Sequence, residues 1–274
     1  MSTPAPAQTD VPDLRAPDRT HRLPTSDGLT LSVYEWDGGA SAHPVLLHHG
    51  FSSSASLEWP HSGLPQALLA RGRRVLAVDA RGHGASDAPH DSASYGEARM
   101  AQDVLEVLDA LGLDRVDLAG YSMGAVVSLV FASRHGDRLH RLVVGGVGAG
   151  VVELGGVDTR ALPASELARA LRAPDPGDLG EGLLRSFRES AAATGNDLLA
   201  LAAQADAVHA SPLDLASIPV PTLVVAGRED PLAVRPQVLV DAVPGAHLLL
   251  VAGEHTTAFE DPRFVPGITA FLQP

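Results

Sequence analysis

Short apolar runs rich in β-branched residues alternate along the chain with longer stretches whose apolar positions repeat at helical spacing. Residues 29–36 (LTLSVYEW) alternate as a half-buried strand does, whereas 44–48, 74–78 and 116–119 read as strands buried on both faces. Runs at 141–144, 222–226 and 247–251 continue the series. Between them, Met100, Val104, Leu105, Val107, Leu108 and Leu111 repeat near helical spacing within 98–111, and 125–134 reads as a second helix. This order predicts an α/β fold: a mostly parallel central sheet flanked by helices.

The alternation breaks between residues 148 and 215. That stretch has no strand pattern, only Ala-, Leu- and Arg-rich helical pieces interrupted by Pro163, Pro174, Pro176 and Gly195. It predicts a helical insertion dividing a core made of 19–147 and 216–274. Residues 1–18 carry Pro4, Pro6, Pro12 and Pro17 without an apolar run, which predicts a frayed, disordered tail and fits neither a signal peptide nor a membrane anchor.

Composition narrows the chemistry. The 274 residues include no cysteine and no lysine, so all 20 basic residues are arginine. Thiol nucleophiles, zinc-thiolate sites, disulfides, Schiff-base lysines and a P-loop lysine are excluded. A net charge of -13 repels polyanions, so no nucleic-acid partner is expected. No stretch approaches 18 uninterrupted apolar residues, so no membrane span is expected either, and a cytoplasmic location follows by default. The 12 histidines show no metal-ligand spacing, and neither a metal nor any other cofactor is expected. The Asp103, Glu106 and Asp109 side chains read as a solvated helix face, and Arg71, Arg73 and Arg74 as a surface cluster before a strand.

Where the strand 116–119 ends stands Gly120-Tyr121-Ser122-Met123-Gly124, a G-x-S-x-G pentapeptide followed by a helix-period run. A serine on a tight strand-to-helix turn adopts strained backbone angles, and side chains at the flanking positions would collide. A serine hydroxyl needs a base to take its proton and a third group to orient that base. Downstream candidates are Asp230, just past the strand 222–226, with Glu229 as its rival, and His255, just past the strand 247–251. The C-terminal ends of strands are where open α/β sheets build their sites. The turn His48-His49-Gly50-Phe51 follows another strand end, and backbone N–H groups of Phe51 and Met123 would form an oxyanion hole.

These motifs are similar to those of the α/β-hydrolase superfamily over residues 19–272. They comprise the His49-Gly50 turn, Asp79-Ala80-Arg81-Gly82-His83-Gly84-Ala85-Ser86, the elbow at Ser122, Asp230, and His255 with Glu260 and Pro262 in an H-x-x-x-x-E-x-P arrangement. The resemblance implies Ser122 as nucleophile, His255 as general base then acid, and Asp230 as the orienting carboxylate. It also implies a cap formed by 148–215, and places Trp59 and Tyr121 at the substrate pocket. His49 is expected to hold the oxyanion turn by hydrogen bonds, and His83 to be scaffold. The serine at the elbow disfavours haloalkane dehalogenase, epoxide hydrolase and dienelactone hydrolase chemistry. A small-molecule substrate with an ester of a small or aliphatic acyl group is expected, because Phe187 is the sole aromatic residue of 148–215. Carbon–carbon bond or lactone hydrolysis, perhydrolysis, and a ligand receptor on a hydrolase scaffold remain the alternatives.

Overall fold

A computed structural model describes residues 14–39, 43–208 and 210–273. Its strands are β1 (Arg19–Pro24), β2 (Thr30–Trp36), β3 (Val45–His48), β4 (Val75–Asp79), β5 (Val116–Tyr121), β6 (Leu139–Gly145), β7 (Thr222–Gly227) and β8 (His247–Val251). They form one sheet in the order β1-β2-β4-β3-β5-β6-β7-β8. All pairings from β4 through β8 are parallel, while β1 and β2 run antiparallel at one edge.

Helices α1 (Ala55–Ser62) and α2 (Leu64–Leu69) link β3 to β4, α3 (Glu97–Ala110) links β4 to β5, and α4 (Met123–His135) follows β5. The helices α5 (Ala149–Leu154), α6 (Ala164–Arg172), α7 (Leu183–Ala193) and α8 (Leu198–Asp206) make up the insertion between β6 and β7. The chain closes with α9 (Pro236–Ala242) and α10 (Phe264–Phe271).

Successive strand residues serve opposite cores. Leu46, Leu76, Leu118, Leu142 and Val224 join a core with α3, α4 and α9. Their neighbours Leu47, Ala77, Ala119, Val143 and Val225 join a second core with α1, α2 and α10. With both faces covered, the central strands are apolar throughout, which is why they read as continuous runs rather than alternating ones. The parallel strands bring the C-terminal ends of β3, β5, β7 and β8 to one edge.

Several expectations need correction. Strand β1 (RTHRLP) was not foreseen, because an exposed edge strand buries too little to leave an apolar signature. Residues 14–18, assigned to a frayed tail, are tied down. The Trp36 indole N–H donates to the Arg15 carbonyl at 2.8 Å, Asp18 N–H donates to the Glu35 carbonyl at 2.8 Å, and Leu14 packs on the second core. The rest of the expected tail, residues 1–13, lies outside the described residues. Arg73 is not a surface residue: it is buried with Asp117 in an ion pair at 2.5 Å and donates to the His43 carbonyl. Asp103 is not on a solvated face, since it is buried and accepts two hydrogen bonds from Arg81 at 2.7 Å. Each of these charges is buried only because an element distant in sequence supplies its partner. Among the described residues, no helix is long and apolar enough to cross a membrane.

Candidate active site

Ser122 sits between the end of β5 and the start of α4 with φ 52° and ψ -115°. For a residue with a side chain this is a strained conformation, costing about 1–3 kcal/mol. The flanking glycines are sterically required. A methyl on Gly120 would come within 2.2 Å of the Gly124 carbonyl oxygen, and one on Gly124 within 2.1 Å of the His48 carbonyl oxygen. Ser122 N–H donates to the Gly145 carbonyl at 2.8 Å, which pins the turn to β6.

His255 meets this serine from the loop after β8. Its Nε2 lies 2.9 Å from Ser122 Oγ, and its Nδ1 lies 2.8 Å from Asp230 Oδ2. With Nδ1–H donating to the carboxylate, the Nε2 lone pair faces the serine hydroxyl. Asp230 is buried, and its other oxygen accepts the Leu232 N–H at 2.8 Å. Glu229, the rival carboxylate, is exposed and accepts the Gly253 N–H at 2.7 Å, so it belongs to the loop and not to the histidine. The Tyr121 hydroxyl donates to the His255 carbonyl at 2.7 Å and so holds the histidine loop in place.

The turn after β3 completes the surroundings of Ser122. A methyl built on Gly50 would lie 3.3 Å from Ser122 Cβ, so this backbone runs alongside Ser122. The Met123 amide is the first N–H of α4 and has no carbonyl within the helix to bond. The His49 ring holds the turn from behind: its Nε2 accepts the Ala80 N–H at 3.0 Å, leaving Nδ1–H to donate to the Gly50 carbonyl at 2.7 Å. His83 Nε2 accepts the Ser52 N–H at 3.1 Å. Burial keeps these rings neutral, pushing His48 down to about 3 and His49 down to about 4.

Trp59 and Tyr121, expected at the pocket wall, are both packed in the second core. The Trp59 ring is 1% exposed, and around it lie Leu64, Gly120, Tyr121 and Phe264. The helical insertion lies over the turn after β3 and the elbow. Phe187 stacks on Phe51 with ring centroids 6.0 Å apart, and Gln204 Nε2 lies 2.7 Å from Met123 Sδ. Asn196 donates to the Ser53 carbonyl at 2.9 Å and accepts the Gly84 N–H at 2.8 Å. The sequence reading missed Asn196, Gln204 and also Glu58, whose carboxyl accepts the Gly50 N–H at 2.9 Å. None of them belongs to a recurring motif, and the Asn196 partners are 112 and 143 residues away.

The family model described as alpha/beta hydrolase fold matches residues 43–213. A 2-hydroxymuconate semialdehyde hydrolase of Pseudomonas putida is 32% identical over 256 residues, covering 84% of this chain and 86% of that protein. A 2-hydroxy-6-oxo-2,4-heptadienoate hydrolase of Pseudomonas putida is 36% identical over 138 residues, covering 50% of this chain and 48% of that protein. The chain spans about half the length of several other curated relatives it matches. Among solved structures, a hydrolase of Pseudomonas aeruginosa superimposes with a TM-score of 0.74 at 30% identity, covering 94% of this chain and 99% of that one.

Proposed function

This chain belongs to the α/β-hydrolase family and is a hydrolase; from that premise we propose that it is a serine hydrolase cleaving carboxylic esters of small or aliphatic acyl groups. The observation that carries the reading is the unbroken chain of contacts from Ser122 Oγ through His255 to Asp230, at 2.9 and 2.8 Å, on a strained elbow. In the proposed reaction His255 Nε2 takes the Ser122 proton as Oγ attacks the substrate carbonyl carbon. Asp230 stabilises the imidazolium that forms, and the Phe51 and Met123 amides hold the oxyanion. The imidazolium then protonates the departing alkoxide. Water, deprotonated by the same histidine, attacks the acyl-enzyme and restores Ser122.

We read the insertion 148–215 as a cap held together by its own apolar core of Leu167, Leu171, Leu201 and Ala202, and its scarcity of aromatic residues favours an aliphatic acyl group. Its one aromatic ring, Phe187, is engaged by Phe51. The substrate is a small molecule met in the cytoplasm, with no nucleic-acid or membrane partner, in keeping with the net charge of -13. The similarity to a 2-hydroxymuconate semialdehyde hydrolase favours a second reading, in which the same three residues hydrolyse a carbon–carbon bond next to a carbonyl.

The test exposes the protein and Ser122→Ala to a fluorophosphonate probe and then measures turnover of p-nitrophenyl esters from acetate to decanoate. Labelling that requires Ser122, turnover highest at short chains, and a loss in kcat of about 10⁴ to 10⁶ in the variant are expected. Near-normal turnover by Ser122→Ala would overturn the assignment. Labelling without ester turnover would favour the carbon–carbon reading.

A further inference from the structure

One ionisable group beside the nucleophile has no part in the reaction as proposed. Glu58 lies in α1, and both of its carboxyl oxygens accept the Gly50 N–H, at 2.9 and 3.1 Å. That carboxyl and the serine both border the space beside Gly50: a methyl built there would lie 3.0 Å from Glu58 Oε2 and 3.3 Å from Ser122 Cβ. The next amide along the chain is that of Phe51. The Glu58 carboxyl therefore anchors the oxyanion turn close beside Ser122.

We infer that Glu58 is a positioning residue of the oxyanion turn, and that a neutral carboxyl there supports reaction at Ser122 whereas a carboxylate opposes it. This rests on the serine-hydrolase reading. A carboxyl carbonyl oxygen accepts the Gly50 N–H in either protonation state, so the anchor survives ionisation and only the charge changes. A negative charge close beside Ser122 repels the oxyanion that forms there.

The surroundings support a neutral form at physiological pH. Burial raises the Glu58 carboxyl to about 8, against the Gly50 N–H and Ser53, which favour the charged form. From β3 and its turn, His48 and His49 face this region as neutral rings. From β4, Asp79 accepts the Ala55 N–H at 2.8 Å at the start of α1. Helix α2 carries no ionisable side chain, α1 itself adds His61, and the turn at 258–260 adds Glu260. Tyr121 from β5 lies close enough for the Glu58 charge to raise its phenol further.

The experiment follows the second-order rate of fluorophosphonate labelling from pH 6 to 10 for the wild type, Glu58→Gln and Glu58→Ala. Labelling joins Ser122 Oγ to phosphorus, passes the Oγ proton to His255 and expels fluoride through a five-coordinate transition state with negative charge on the phosphoryl oxygen, so it needs no knowledge of the natural substrate. The wild type is expected to lose about 10- to 100-fold in rate around pH 8, the effect of a unit charge roughly 6–12 Å away at an effective dielectric of about 20. Glu58→Gln keeps an oxygen for Gly50 and carries no charge, so its alkaline fall is absent. Glu58→Ala loses the anchor, and its plateau is expected about tenfold below that of Glu58→Gln. An alkaline fall retained in Glu58→Gln, or equal plateaus for the two variants, would overturn the inference while leaving the nucleophile assignment intact. Absence of labelling in the wild type at every pH would overturn both.

Discussion

Replacing Gly124 by alanine adds one methyl where the elbow meets the oxyanion turn. On the observed backbone its carbon would stand 2.1 Å from the His48 carbonyl oxygen and 2.7 Å from that of His49. Non-bonded carbon and oxygen stay apart by roughly 3.2 Å or more, so the elbow and the turn must separate by about 1 Å. Neither side yields easily. His48 ends β3, which is hydrogen-bonded to β4 on one side and β5 on the other, and the His49 ring is bonded to Ala80 and Gly50. Overpacking of this kind costs about 1–3 kcal/mol. For a chain of this size that corresponds to a Tm lower by roughly 2–12 °C. The separation opens between Ser122 and the Phe51 amide, and a misplacement of about 1 Å within a reacting constellation costs about 100-fold in rate. Gly124→Ala is therefore expected to remain folded at 25 °C by far-UV circular dichroism, while kcat/KM and the labelling rate of Ser122 fall about 100-fold. A folded variant with wild-type kcat/KM would refute the argument that this glycine is required by the approach of β3.

Asp230→Asn should lower kcat by about 10⁴, because an amide no longer holds the imidazole in the useful tautomer, whereas Glu229→Gln on the exposed loop should change it less than threefold. Steady-state rates for the two variants decide between the carboxylates, and equal losses would refute the distinction. Acid should destabilise the fold through the buried histidines. His49 titrates at 6.5 in an unfolded chain but at about 4 in its buried site, so the unfolded state takes up the proton first. The His49 contribution is then complete above pH 6.5 and is lost as pH falls towards 4, by roughly 3 kcal/mol, with His48 acting in the same direction and Glu58, raised to about 8, acting in the opposite one. Urea unfolding of Glu58→Gln, which removes the opposing carboxyl, at pH 7.5, 6, 5 and 4.5 measures this, and a constant unfolding free energy over that range would contradict it. Asn196→Ala removes two hydrogen bonds between the insertion and the core loops and should lower stability by about 1–3 kcal/mol, read as a shift in urea midpoint.

The parallel strands and the chemistry at their ends were legible because both are written locally. A strand buried on two faces must be apolar at nearly every position, and β3, β4, β5 and β7 are so along most of their length. The elbow needs glycine at 120 and 124 because neighbouring backbone fills the space a side chain would take, and that requirement survives as a readable spacing. Asp230 and His255 follow strand ends, so topology alone predicts that they reach the edge where Ser122 lies.

Other features depended on partners that no local pattern reveals. Only the folded chain separates Asp230 from Glu229, since adjacent residues on a turn point in different directions and one of them meets His255. Arg73 and Asp103 looked like surface charges until Asp117 and Arg81 arrived from elsewhere in the fold to bury them. Glu58 precedes a tryptophan in a short helix without any motif, yet tertiary packing sets its carboxyl against the oxyanion turn. The sequence by itself determined the α/β alternation, the strand-end placement of the reactive groups and the glycines of the elbow, because steric and burial demands act on neighbouring residues. The tertiary structure alone decided which carboxylate meets His255, which charges are buried and what borders Ser122. Those outcomes rest on contacts between distant segments, and the free energy of such contacts leaves no periodic trace in the chain.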